Sequence, residues 1–406
     1  MTVLQEVFIP ELDEWVTRDV GIDRGVFREI AAPGSLKGIP SLSAEGLYLM
    51  PAWIDPHVHV RDPGYTHKED WVTCTKAALR GGFSTILDMP NNRVPTADFE
   101  TLQEKMGIAK IKSYTNFGLH IALTESNIDM ILREDIQRTV CGIKIYMAKT
   151  TGGITVKSDQ VLLQVFGQPK PVMVHTGGGE GLSRILSIYE RAGNITSTLP
   201  VLYICHVSTR DEVSLLRKWK RKYPRLCAEV TPHHLFLQKE SYNGPPGVLP
   251  PLGTAQDNEA LWEGITQGVV DFLGTDHAPH TLDEKGSENP PSGFPGLETA
   301  LPLMMNAVRE KRIGLQRLSM ITSHNARKLF HIREGEGIKR NASANCVLLQ
   351  EGEYIVGEEG YVTKCGWSPF HGWRHSFRPV ITMVNGDIAY ERGRFVRPHT
   401  KMVCCT

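Results

Sequence analysis

The sequence predicts an α/β protein: a (β/α)8 barrel of the TIM type beside a small β-sandwich made from the N- and C-terminal segments. Three observations predict it. Eight apolar runs, at 47–54, 84–89, 117–123, 142–147, 171–174, 200–205, 226–230 and 269–275, alternate with helix-like stretches. Both chain ends read as short β segments with no long helical period. Residue types suited to metal ligation recur where the apolar runs stop. The implied division is 1–50 for the N-terminal part of the sandwich, 51–335 for the barrel, and 336–406 for the C-terminal part and tail.

The elements follow in order. Val20-Gly21-Ile22-Asp23-Arg24-Gly25-Val26 places a turn signal between apolar flanks, which suits a hairpin. The run 47–54 reads as the first barrel strand, stopped by the turn pair Pro63-Gly64. A helix over 69–80 opens on acids and ends at Arg80-Gly81-Gly82. Ser208-Thr209-Arg210-Asp211 is a capping-box pattern, and the helix it starts must end near Pro224. A helix over 260–268 leads into the last run. Beyond about residue 330, Cys346-Val347-Leu348-Leu349 reads as a strand, and Asn385-Gly386 between 380–384 and 388–390 as a primed hairpin turn. An open doubly wound sheet is the competing architecture, but no G-x-G-x-x-G follows the first strand.

Composition excludes several function classes. Over 406 residues the apolar share is 41%, the charged share 22% and the formal net charge zero. That balance exerts no bulk pull toward nucleic acid or membrane. The basic patch at 217–225 reads as the solvated face of a helix. No apolar run approaches the roughly 20 residues that span a bilayer, and the first ten residues lack the pattern of a signal peptide. The eight cysteines form no C-x-x-C pair, so neither a zinc ribbon nor a disulfide framework is expected, which favours a cytoplasmic setting.

The chemistry begins at Ile54-Asp55-Pro56-His57-Val58-His59-Val60-Arg61. Side chains alternate along a strand, so His57, His59 and Arg61 share a face. Two imidazoles on one face can hold zinc or another borderline divalent metal. Further candidates lie at later run ends: Lys144, His175, His206 and Asp276. In a (β/α)8 barrel those ends form the active face. Lys144 stands in an apolar strand, where a charged amine is costly to bury. Either its head snorkels outward, or the amine has reacted with carbon dioxide to become a carbamate able to bridge two metals.

Taken together, these residues resemble the amidohydrolase superfamily with a binuclear zinc centre. His57-Val58-His59-Val60-Arg61-Asp62-Pro63-Gly64, Met89-Pro90-Asn91, Pro232-His233-His234-Leu235, Asp276-His277-Ala278-Pro279-His280 and Gly293-Phe294-Pro295-Gly296-Leu297-Glu298-Thr299 resemble the dihydroorotase family within it. The resemblance implies that His57, His59 and Asp276 bind one Zn2+, that His175 and His206 bind the other, and that carboxylated Lys144 bridges them. It implies a bridging hydroxide as nucleophile, Asp276 as the catalytic proton carrier, and Arg61, Asn91 and His280 as substrate contacts. Thr150, in the loop at 148–153, would touch substrate when that loop closes. The activity implied is the reversible cyclisation of N-carbamoyl-L-aspartate to L-dihydroorotate, in pyrimidine biosynthesis. The implied partners are a small-molecule substrate, a second copy of the chain, and aspartate carbamoyltransferase; a third metal at Glu229 stays open.

Two departures stand out. Pro51-Ala52-Trp53 replaces the usual Pro-Gly before the histidines. Leu249, in Val248-Leu249-Pro250-Pro251-Leu252, stands where relatives often carry an arginine or asparagine that contacts substrate. Leu249 speaks for another ring opener, a dihydropyrimidinase, hydantoinase or allantoinase, whereas Arg61 and His280 speak against it. A non-catalytic scaffold would be expected to lose metal ligands, and all six stand here.

Overall fold

In the computed structural model, which describes residues 1–37, 39–148, 150–196, 198–333 and 337–404, eight parallel strands pair in chain order. They are Trp53–Val58, Phe83–Asp88, Asn116–Ala122, Gly142–Tyr146, Val172–His175, Leu202–Ile204, Leu226–Val230 and Phe272–Leu273. Both faces of nearly every strand are buried, which is why they read as continuous apolar runs rather than as alternation. The eighth strand is only two residues long. The barrel closes just beyond it, where Val58 bridges His277 in parallel and His59 N–H donates to His277 O at 2.9 Å. The buried Asp55 carboxylate finishes the seam by accepting from the Thr275 N–H at 3.1 Å and from the Thr275 hydroxyl.

The helices start where side chains can satisfy their first N–H groups. Asp70 caps Trp71–Arg80 in a capping box with Thr73. Thr209 caps Arg210–Lys220, and its box partner is Glu212, one residue beyond the expected tetrad. Ala255–Thr266 begins five residues before the expected start, because Thr254 and Asp257 form a box there.

The chain ends join, as expected, in one nine-stranded mixed sheet. Its path runs Arg394–Phe395, Asp387–Glu391, Arg374–Val384, Cys346–Ile355, Leu47–Pro51, Thr2–Glu11, Glu14–Asp23 and Val26–Ala31, with Ser41–Ser43 beside Thr2–Glu11. Leu4, Val20, Leu49, Leu348 and Val380 fill its core. Asn385 and Gly386 take φ of 53° and 88°, the primed turn expected of Asn-Gly.

Two expectations need correction. The run 47–54 is not one strand: Leu47–Pro51 pairs antiparallel with Cys346–Ile355, and the barrel strand starts at Trp53. Ala52 is the crossing point, its N–H bonded to Asn345 O while the next N–H bonds to Gly82 O. An uninterrupted apolar run carries no mark of which sheet takes its hydrogen bonds. Nor are the cysteines all unpaired. Cys141 and Cys404 form a disulfide with Cα atoms 5.0 Å apart, across a sequence separation of 263. The tail reaches it by pairing with Phe117, which accepts from Val403 N–H and donates to Lys401 O. Cys405 lies outside the described residues. Among the described residues no helix is long and apolar enough to cross a membrane.

Candidate active site

The strand ends bring the candidate ligands to one mouth. His57 lies in the first barrel strand, Lys144 in the fourth, and His175 ends the fifth. His206 and Asp276 lie just beyond the sixth and eighth. With His59, Arg61, Asn91 and Thr150 they line a cleft of about 380 Å3. A larger groove of about 560 Å3, between the barrel and the terminal sheet beside Arg80 and Arg378, gathers no comparable ligand set among the described residues.

Backbone strain aims several of these side chains. Arg61, His206 and Asp276 have φ of 67°, 37° and 45°, left-handed values that non-glycine residues seldom adopt. The first strand stops at Val58, so strand alternation does not by itself deliver Arg61; the left-handed turn does.

The donor set fits a cation. Asp276 Oδ1 lies 2.9 Å from His59 Nε2 and 3.3 Å from His57 Nε2. Glu229 can only accept, so the 2.7 Å contact from His57 Nδ1 puts a proton on that nitrogen. In the neutral ring the Nε2 lone pair then faces the Asp276 carboxylate. His59 is placed alike, with Nδ1 2.5 Å from Asn91 Oδ1. His175 Nδ1 and His206 Nε2 approach to 2.8 Å, and His206 Nδ1 is buried without a hydrogen-bond partner among the described residues. Converging lone pairs in a dry cleft are unfavourable unless a cation sits among them.

The titration tendencies agree. Burial holds His59 and His175 down to about 3, so both are neutral and able to ligate. For Asp276, burial would raise the pKa, but His57 and His59 hold it well below the usual carboxylate range. Burial would also depress His57, yet the Glu229 carboxylate lifts it to about 10. Lys144 is fully buried, its Nζ 2.9 Å from Cys205 Sγ, and among the described residues no hydrogen bond or ion pair joins it to a carboxylate. An amine so placed suits conversion to a carbamate.

Beside the ligands lies a second unsatisfied group. Lys68 Nζ can only donate, and lies 3.0 Å from His280 Nδ1. His280 Nε2 therefore carries the proton and donates to Ser292 O at 3.1 Å. Arg61 Nη2, 3.2 Å from that same nitrogen, then faces a donor rather than an acceptor. Arg61 Nε and Nη1 are buried with no hydrogen-bond partner among the described residues. Arg61 is 2% exposed and has no ion-pair partner among the described residues; its neighbour Asp62 pairs with Lys112 at 2.8 Å. Such a fork awaits an anion.

The remaining candidates fall in or behind the cleft. His280 does not line it but sits behind Arg61, held neutral by burial and by the Arg61 and Lys68 charges. Asn91 orients His59 as well as facing the opening. Thr150 lines the cleft ahead of Gly152 and Gly153, whose φ values of 89° and 70° need glycine; Lys149, in the same loop, lies outside the described residues. Leu249 is 44% exposed at the rim and presents no polar group.

Sequence reasoning missed three participants, Tyr146, Cys205 and Lys105, and named Glu229 only as an open candidate for a third metal. Tyr146 lines the cleft, and its place two residues past Lys144 on one strand could have found it. Cys205 joins His57 and Glu229 in a second metal-capable cluster. Glu229 also accepts from the Tyr203 hydroxyl at 2.7 Å and from His206 N–H at 3.0 Å, so it braces two ligands. Lys105, fully buried, donates to Met89 O at 2.8 Å and Asn92 Oδ1 at 2.7 Å, and pairs with Asp88; Asp88 accepts from Val60 N–H at 2.8 Å. A helical lysine gives no sequence signal of that role.

Comparison with known proteins places the chain. The amidohydrolase family model matches residues 48–185. The chain is 33% identical over 369 residues to the multifunctional protein CAD of Squalus acanthias, covering 89% of this chain but 16% of that protein. It is 31% identical over 388 residues to the dihydroorotase of Pyrococcus furiosus, covering 93% of this chain and 90% of that one. Among solved structures, the L-hydantoinase from Arthrobacter aurescens superposes with a TM-score of 0.90 over 99% of both chains at 24% identity, a likeness of fold. The chain thus spans about 16% of the multifunctional relative and nearly all of the single-activity one. With that similarity running over 93% of its length, the chain belongs to the dihydroorotase family of amidohydrolases.

Proposed function

We propose that the protein is a dihydroorotase, interconverting N-carbamoyl-L-aspartate and L-dihydroorotate. The observation that carries this reading is Arg61: a buried guanidinium without an acceptor among the described residues, opening on the cleft that holds the ligand cluster. A ring carboxylate satisfies that fork, and an uncharged ring leaves it unpaired.

In this reading His57, His59 and Asp276 would hold one zinc ion and His175 and His206 the second, with carboxylated Lys144 as an anionic ligand to the pair. Two zinc ions in that place would acidify a shared water and polarise the ring amide. Arg61, backed by His280 and with Asn91 beside it, fixes the carboxylate and so the ring's orientation. Asp276 lies among the ligands, where it accepts the proton of the attacking ureido nitrogen in cyclisation and returns one to the leaving nitrogen in hydrolysis. Thr150 closes over the substrate. Residues 51–335 form the catalytic unit, and the protein acts in the cytoplasm as a homodimer or docked on aspartate carbamoyltransferase.

A second reading, a ring opener for uncharged substrates, is favoured by Leu249 alone. The test is turnover of L-dihydroorotate beside dihydrouracil, hydantoin and allantoin, with zinc counted in the same sample. Turnover of dihydroorotate with about two zinc ions per chain is expected. Turnover of an uncharged ring instead overturns the substrate, and a zinc-free protein overturns the enzyme.

A further inference from the structure

The cleft contains a second orphaned donor. The Tyr146 hydroxyl is buried, with no hydrogen-bond partner among the described residues. Its ring is fixed: it packs on Ala122 and Ile154, and its centroid lies 6.1 Å from that of His175. Lys144 Nζ lies 5.3 Å from the same centroid. The phenol and the Arg61 guanidinium line the same cleft. Two donors left unsatisfied in one buried cleft are tolerated when a ligand supplies the acceptor. The side chain at position 249, across the same cleft, offers no donor.

We propose that Tyr146 is a substrate-binding residue whose O–H donates to the same ring carboxylate that Arg61 holds, supplying the polar contact that Leu249 does not. This rests on the dihydroorotase reading and deepens it: the site reads an anionic ring through one planar cation and one phenol. The ring of Tyr146 serves packing, and only its oxygen serves recognition.

The division gives a clean variant. Tyr146→Phe keeps the ring and removes an oxygen without a hydrogen-bond partner among the described residues, so the melting temperature stays the same or rises and the zinc content is unchanged. Calorimetry on the zinc-loaded wild type and variant would compare orotate, which carries the carboxylate, with uracil, which lacks it. Steady-state kinetics on L-dihydroorotate would accompany it. Orotate Kd and dihydroorotate KM are expected to rise about ten-fold, with uracil unchanged and kcat within about two-fold. Unchanged orotate affinity in the variant, or equal weakening of both ligands, overturns the role of Tyr146 while the wild-type preference for orotate leaves the dihydroorotase reading intact. A wild type with no preference for orotate overturns both.

Discussion

Replacing Lys105 by methionine should destabilise the protein and blunt the cleft, although Lys105 touches no candidate ligand. Lys105 and Asp88 are each fully buried and paired with one another. Burial raises the Asp88 pKa, and Lys105 is the chief counterweight. Removing one partner of a buried pair strands the other charge, at a cost of about 3–5 kcal/mol. Lys105 also ties Met89 O and Asn92 Oδ1, so the turn carrying Asn91 loosens. In a protein of 406 residues the loss should read as a fall in Tm of roughly 4–6 °C. The pH dependence gives a second signature. With Lys105 gone, the folded-state pKa of Asp88 rises further above its unfolded value. The native state then binds more protons than the unfolded one between those two values, so stability falls as pH rises through that window. Melts of Lys105→Met at about pH 5.5 and about pH 8 should therefore diverge more than those of the wild type. Adding Asp88→Asn, which can still accept from Val60 N–H, should restore much of the stability. A single variant as stable as the wild type, or a double variant no better than the single, would refute the reasoning.

Asp276→Asn should retain zinc and substrate but lose about two to four orders of magnitude in kcat, measured by stopped hydrolysis of L-dihydroorotate; near-normal turnover removes its proton-carrying role. Arg61→Lys keeps the charge but not the fork, and KM for L-dihydroorotate should rise about ten-fold while zinc binding holds. Lys285 donates to Pro246 O, Gly247 O and Pro291 O, tying two loops at the cleft rim, while burial and the Arg61 charge lower it from 10.5 to about 7. Its folded pKa lies below the unfolded one, so the unfolded chain binds more protons between those values and stability gains with rising pH there. Lys285→Met should flatten that gain in thermal melts, and an unaltered slope would show the gain to come from other groups.

The barrel was legible in the sequence because parallel strands buried on both faces leave apolar runs, and helices between them leave periodicity and caps. Leu226–Val230 coincides with its predicted run, and Gly142–Tyr146 falls inside its own. Residues 47–54 were legible as apolar but not as divided, since hydrogen-bond partners leave no trace in side-chain type. The Cys141–Cys404 bond was illegible for a related reason: the ends of a 263-residue separation meet only once the barrel has closed and the tail has paired with Phe117.

For the site, the sequence by itself determined the inventory. His57, His59, Lys144, His175, His206 and Asp276 are chemistry-bearing types at strand ends, and strand ends of a barrel share one mouth. Tertiary structure alone decided which of their atoms face one another and which donors go unsatisfied. Left-handed turns at Arg61, His206 and Asp276 aim side chains that alternation could not place. The proton on His57 Nδ1 is set by Glu229, from a strand 172 residues away. The orphaned donors of Arg61 and Tyr146 are known only by the acceptors they lack. Residue type states what a group can bind; whether it has been left unbound depends on every neighbour the fold brings within hydrogen-bond reach.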